Sequence, residues 1–205
     1  VVRNSFKRLG RTFLELAKQK HIFVFLLAFF FYIDGVYTVI DMATAYGQAL
    51  GLDSTGLLLA LLVTQIVAFP CVLIFSRLVK KVRPETIITI CIAAYFCIAV
   101  YAYWLDTQFD FWLLAVLVGM FQGTIQALSR SYFAKIIPAE KSGEFFGIYD
   151  ICGKGASVIG TALVSVLSQL TGSINIGVSA LSVMFLIGLV LFRYSAKLNT
   201  GREMQ

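Results

Sequence analysis

The sequence predicts an all-α membrane protein, six transmembrane helices arranged as two inverted three-helix repeats. Hydrophobic residues make up 59% of the chain and charged residues only 14%, with a mean hydropathy of +0.86. A soluble domain keeps about a quarter of its residues charged. The apolar residues gather into six runs near the length that crosses a bilayer as helix, a form that satisfies every backbone polar group within the segment. Lysine and arginine then fall in alternate connections between those runs.

Residues 1–20 come first. Phe6, Leu9, Phe13, Leu16 and Ala17 recur at helical spacing among Arg3, Lys7, Arg8, Arg11, Lys18 and Lys20. That is the pattern of a basic amphipathic helix resting on anionic lipid headgroups, and a linker from a preceding membrane domain has the same pattern. No signal peptide is expected here, and a chain starting at Val1 is expected to be a piece of a longer one. The spans follow at 22–46, 54–79, 86–105, 110–135, 143–169 and 174–195, with a kink expected at Pro70. The chain thus divides into a surface helix or linker (1–20), a six-helix bundle (21–198) and a tail (199–205).

The N-terminal cations share one side of the bundle with Arg77, Lys80, Lys81 and Arg83, with Arg130, Lys135 and Lys141, and with Arg193, Lys197 and Arg202. The opposite connections, around Asp53, from Asp106 to Asp110 and from Thr171 to Ser173, hold no lysine or arginine. The positive-inside rule then places both termini in the cytoplasm. Lys154 alone falls outside this sorting. Superposing the first and fourth runs sets Asp34-Gly35 on Gln122-Gly123 and Asp41 on Ser129, a faint repeat of the kind secondary transporters are built from.

The net charge of +6 would suit nucleic acid if the cations formed one solvent-facing patch with interleaved aromatics. They lie between the apolar runs instead, so no nucleic-acid partner is expected. Cys71, Cys91, Cys97 and Cys152 sit inside runs with no C-x-x-C spacing, and are expected as small buried packing residues. His21, the only histidine, lies at a span's edge as an expected interfacial anchor. No metal, no cofactor and no Ser-His-Asp or Cys-His catalysis is expected, so the chain is not read as an enzyme.

Drawn as wheels of 3.6 residues per turn, three spans carry a polar stripe. The first has Asp34, Tyr37, Thr38 and Asp41; the fourth has Gly119, Gln122, Gln126 and Ser129, with Arg130 beside them; the fifth has Gly147, Asp150, Lys154, Ser157 and Thr161. At about 1.5 Å of rise per residue, Asp34 and Lys154 both lie roughly 18–20 Å from the basic end, near the middle of a core about 30 Å thick. An isolated charge there costs at least about 2.5–3.5 kcal/mol. The two are therefore expected to share a water-filled cavity, with Asp150 as the nearer partner of Lys154 and Asp34 as a proton site. A structural Asp150–Lys154 ion pair is the alternative.

Tyr37, Thr38, Gln122 and Gln126 complete the expected solute or ion contacts. Arg130, Glu144 and Asp41 are the gating candidates, Arg130 pairing with Glu144 or Asp150 across a short turn or else snorkelling to headgroups. Gly119-x-x-x-Gly123 and Gly143-x-x-x-Gly147 are expected to bring helices close. A transporter of a small polar solute is the leading expectation. A non-transporting scaffold or receptor module and a lipid flippase are the alternatives.

Five stretches carry a resemblance: Phe31-Tyr32-Ile33-Asp34-Gly35-Val36, Met42-Ala43-Thr44-Ala45-Tyr46-Gly47, Thr64-Gln65-Ile66-Val67-Ala68-Phe69-Pro70, Gln126-Ala127-Leu128-Ser129-Arg130-Ser131 and Glu144-Phe145-Phe146-Gly147-Ile148-Tyr149. They resemble the autophagy-related protein 22-like family of the major facilitator superfamily, across nearly the whole chain. The resemblance implies one half of a major facilitator fold, the C-terminal six helices, working by alternating access against an N-terminal half or a second copy. It implies a cavity between the first, fourth and fifth spans, with an amino acid among the solutes. A plasma membrane is implied for a bacterial member and a vacuolar membrane for a fungal one. Two departures stand out. Ser76-Arg77-Leu78-Val79-Lys80-Lys81 replaces the superfamily's Gly-x-x-x-Asp-Arg, and Thr161 follows Gly160 where relatives tend to have proline, which is expected to leave the fifth span straighter.

Overall fold

A computed structural model describes residues 12–49 and 51–203, and its regular structure among them is entirely helical. After a helical segment at 12–18 come α1 (Lys20–Ala49), α2 (Ser54–Leu78), α3 (Pro84–Tyr101), α4 (Gln108–Ile136), α5 (Ser142–Lys154), α6 (Val158–Thr171), α7 (Ile174–Ser179) and α8 (Leu181–Glu203). They make six stretches long and apolar enough to cross a membrane: α1, α2, α3 with a 3-10 turn to Trp104, α4, α5 with α6, and α7 with α8. The chain is an integral membrane protein.

Local chemistry sets the ends. Asp53 caps α2 by accepting from the Gly56 amide at 2.8 Å, Pro84 supplies the fixed φ of a first helical turn, and Thr107 with Asp110 forms a reciprocal capping box on α4. Gly172, at φ +69°, closes α6 in the left-handed region that glycine enters without a Cβ clash. α2 runs through Pro70 without interruption, whereas the fifth span is broken. Residues 155–157 leave helical geometry and Ser157 sits at φ +76°, the described non-glycine residue with positive φ. This corrects the expectation of a straighter fifth span: Gly153 and Gly155 supply the weak point, not a proline.

α1 is the axis of the bundle and packs along α8, with α4, α5 and α6 on its other sides; α2 lies against α4, and α3 between α4 and α8. Exchanging spans one to three for spans four to six maps these contacts onto themselves. First-on-sixth becomes fourth-on-third, second-on-fourth becomes fifth-on-first, and third-on-sixth becomes itself. That is the contact symmetry of two three-helix repeats, and it fits one half of a major facilitator fold.

Burial follows the same plan. Two-thirds of the apolar stretch of α1 is buried, against 22% for α2 and 17% for the fifth span, so those two present their outer faces to whatever surrounds the bundle. Gly119 is in close contact as expected, since a Cβ there would stand 2.6 Å from the Thr64 carbonyl oxygen, and Gly123 faces Val72 of α2. Gly143 and Gly147 have nothing within 4 Å; the expected packing is absent because α5 lies at the edge. Cys97 is exposed and Cys91 buried. His21, read as an interfacial anchor, is buried, and its carbonyl accepts from Ser195 Oγ of α8 at 2.7 Å.

Candidate functional site

α1, α4 and α5 enclose an open cavity of about 660 Å³ whose polar lining is Tyr37, Gln126, Arg130, Tyr149, Asp150 and Lys154. Arg130 and Asp150 face each other from two helices, Nη1 to Oδ1 at 3.1 Å, with both side chains about half exposed. The guanidinium also lies over the Phe146 ring at 5.0 Å and the Tyr149 ring at 6.0 Å. Tyr149 is in turn stacked on Phe29 of α1 at 4.1 Å and on Phe133 of α4 at 4.9 Å. An aromatic floor from three helices thus lies beneath the arginine, which lines the cavity.

The pairing corrects two expectations. Asp150 is taken by Arg130, so it is not the ion-pair partner of Lys154, which forms no ion pair among the described residues. Glu144 is not the partner of Arg130 either. Its Oε2 accepts from Thr12 Oγ1 at 2.7 Å, and Lys141 beside it pairs with Glu15. These contacts fasten residues 12–18 to the start of the fifth span, with Leu16 buried beneath. Lys141 holds the Glu15 carboxyl below its usual range. Arg3, Phe6, Lys7, Arg8, Leu9 and Arg11 of the expected surface helix lie outside the described residues.

Asp34 goes elsewhere. It sits midway along α1 and is fully buried, and its Oδ2 accepts from the Gly160 amide at 2.8 Å, with the amides of Ser157 and Ile159 also acting on the carboxylate. Those amides are the start of α6, left open by the break in the fifth span, so the carboxylate meets donors and the positive end of a helix dipole together. A hydrogen bond to a charged group contributes about 1.5–3 kcal/mol, so one or two offset most of the cost of at least about 2.5–3.5 kcal/mol for a mid-membrane charge. Asp34 needs no lysine, and the expectation that it shares a cavity with Lys154 is corrected. Lys154 lines the cavity, whereas Asp34 is buried against Gly160.

Thr38 is buried in the same joint, and a Cβ on residue 160 would stand 2.1 Å from its Oγ1 and 3.1 Å from Asp34 Oδ2. Only glycine lets α1 and α6 meet here. Asp34 Oδ1 and Thr38 Oγ1 have no hydrogen-bond partner among the described residues.

Gln122 is separated from Gln126. It lines a narrow, mostly apolar crevice of about 50 Å³ between α1, α2 and α4, and its buried Oε1 is unpaired. Ser129, from the same stripe, is buried and shares a 2.6 Å hydrogen bond with Tyr32 of α1. Asp41 is exposed near the far end of α1. Sequence reasoning missed Tyr149, Phe29 and Gly160. The spacing of Phe146 and Tyr149 on one face of α5 was the available signal for the floor, and Gly153-Lys154-Gly155 was the signal for the break.

The vacuole effluxer Atg22-like family profile matches residues 1–205. Over 194 residues the chain is 48% identical to an uncharacterized MFS-type transporter, YxiO, of Bacillus subtilis, covering 95% of this chain and 45% of that protein. It is 31% identical to autophagy-related protein 22 of Saccharomyces cerevisiae over 169 residues, 76% of this chain and 32% of that protein. With autophagy-related protein 22 of Candida glabrata the identity is 24%, over 92% of this chain and 37% of the relative. The chain spans less than half the length of these curated relatives.

Proposed function

The chain belongs to the vacuole effluxer Atg22-like family, and from that premise we propose that it forms half of a secondary active transporter for a small polar, zwitterionic solute. The observation that carries this is the cavity in which Lys154 has no ion-pair partner among the described residues while Arg130 and Asp150 form a half-exposed ion pair. An amino acid offers the matching ends: a carboxylate for Lys154, and an ammonium for Asp150 once Arg130 turns away, with Gln126 and Tyr37 hydrogen-bonding between them. An exposed ion pair is worth at most about 1 kcal/mol, so a solute's own charges can displace it, and Arg130 with Asp150 acts as the gate.

Protons enter through Asp34. Among the described residues the groups acting on its carboxylate are backbone amides, with no lysine or arginine among them. Protonation weakens its hold on the Gly160 amide and frees α6 to shift against α1. The basic end faces the cytoplasm, and a second six-helix half, from the same protein or another copy, covers the outer faces of α2 and the fifth span.

The test is uptake of labelled amino acids into proteoliposomes. Lys154→Met is expected to abolish uptake while the protein still inserts, and wild-type uptake in that variant sinks the proposal. In a cysteine-free background, cysteine at Gln126 or Lys154 is expected to react with a small aqueous thiol reagent. Failure of both to react, with uptake absent, leaves the non-transporting scaffold as the reading.

A further inference from the structure

We infer that the groove between α3 and α8, at the lysine- and arginine-rich end of the bundle and away from the solute cavity, binds an anionic diacyl phospholipid. It is an open cavity of about 780 Å³ lined by Arg83, Thr86, Ile90, Arg193, Tyr194 and Lys197, with Glu85 at its rim. Three cations thus meet one carboxylate. None of the three has an ion-pair partner among the described residues, whereas Arg130 and Lys141 at the same end do. Arg193 and Lys197 stand one turn apart on α8, and Arg83 approaches from the start of α3, so a phosphate between them is reached from two helices.

What lies deeper separates a lipid from a soluble anion. Ile90 on α3, with Val190 and Leu186 on α8, are 48%, 61% and 48% exposed. They continue the faces of the cations down into the membrane-spanning stretches at one-turn intervals. Tyr194 is exposed beside Arg193, the usual place of an aromatic at the headgroup level. A free phosphate ester uses the cations and leaves this apolar track empty, whereas acyl chains cover it. Cations needed only for orientation require no groove, and Lys80 and Lys81 meet that need from the loop before α3.

Basic residues near an anionic surface contribute about a factor of five each, so three favour an anionic over a zwitterionic headgroup on the order of 100-fold. The test is native mass spectrometry of the full-length protein in detergent, with equimolar dioleoylphosphatidylglycerol and dioleoylphosphatidylcholine. Phosphatidylglycerol is expected to be retained selectively. Arg83→Gln/Arg193→Gln/Lys197→Gln is expected to bring the ratio near one, and Lys80→Gln/Lys81→Gln to leave it unchanged. Millimolar glycerol phosphate is expected not to displace the lipid. Equal loss in both variants means diffuse surface charge, displacement by glycerol phosphate means a soluble-anion site, and retention in the triple variant means neither; each overturns the inference. If the triple variant does not fold, the single variants Arg193→Gln and Lys197→Gln must each lower the ratio several-fold, and a flat response overturns it equally.

Discussion

The buried joint around Asp34 and the open cavity around Arg130, Asp150 and Lys154 handle charge in opposite ways. In the joint one carboxylate is fully buried and held by backbone amides at the start of α6, with Thr38 against Gly160. In the cavity two charges pair at 3.1 Å yet remain about half exposed, and a third has no ion-pair partner among the described residues. Amide donors are fixed to a helix and cannot be exchanged for a solute, whereas an exposed ion pair is easily traded. The joint holds while Asp34 is charged, and the cavity yields to a solute.

Substitutions can break or sharpen this contrast. Gly160→Val carries the largest expected effect, because its Cβ would overlap Thr38 Oγ1 and meet Asp34 Oδ2 at once. Overpacking of this kind costs about 1–3 kcal/mol or more, and a sharp loss of monodisperse protein on size exclusion is expected. Normal yield would mean that α1 and α6 do not press together there. Asp34→Leu comes next. It orphans the Gly160 amide, a loss of about 1–3 kcal/mol, and should lower the melting temperature. An unchanged melting temperature would show that Asp34 does not hold the joint.

Arg130→Gln is expected to change stability by less than about 1 kcal/mol and still to reduce uptake severely. A melting temperature lowered as far as in Asp34→Leu would erase the contrast. The smallest effect is at the Glu15–Lys141 contact. The folded state holds the Glu15 carboxyl below its usual value, so its contribution is present at neutral pH and is lost as pH falls below about 4 toward the depressed value. Limited proteolysis near residue 18 should then accelerate in acid, and Glu15→Gln should cleave at the acid rate at every pH.

Much of the architecture was legible because it rests on length and charge. The span read at 54–79 is Ser54–Leu78, and that at 110–135 is Gln108–Ile136, since apolar run length and flanking polar residues set both ends. The fifth span read as one helix because hydropathy averages across Gly153-Lys154-Gly155 without registering a break. The same averaging misplaced Asp34. Counting residues gives depth along a helix and a wheel gives its face, but neither says which neighbour stands opposite. Asp34 and Lys154 were read at one level, but Asp34 is taken by the Gly160 amide and Lys154 lines the cavity. The Arg130–Asp150 pair was open to sequence reading as one of two options, and only the packing of Tyr149 between Phe29 and Phe133 selects it.

α1 owes most of its burial to α8, and that has a consequence for how the protein is made. Within this six-span bundle α1 is made before α8, its main partner, so it must wait in the bilayer through four intervening spans. A nascent chain ending before Leu181 lacks Phe185, which closes over Gly35, and Gly188, which lets α8 approach Tyr32. Insertion of α1 therefore precedes the burial of its α8-facing side.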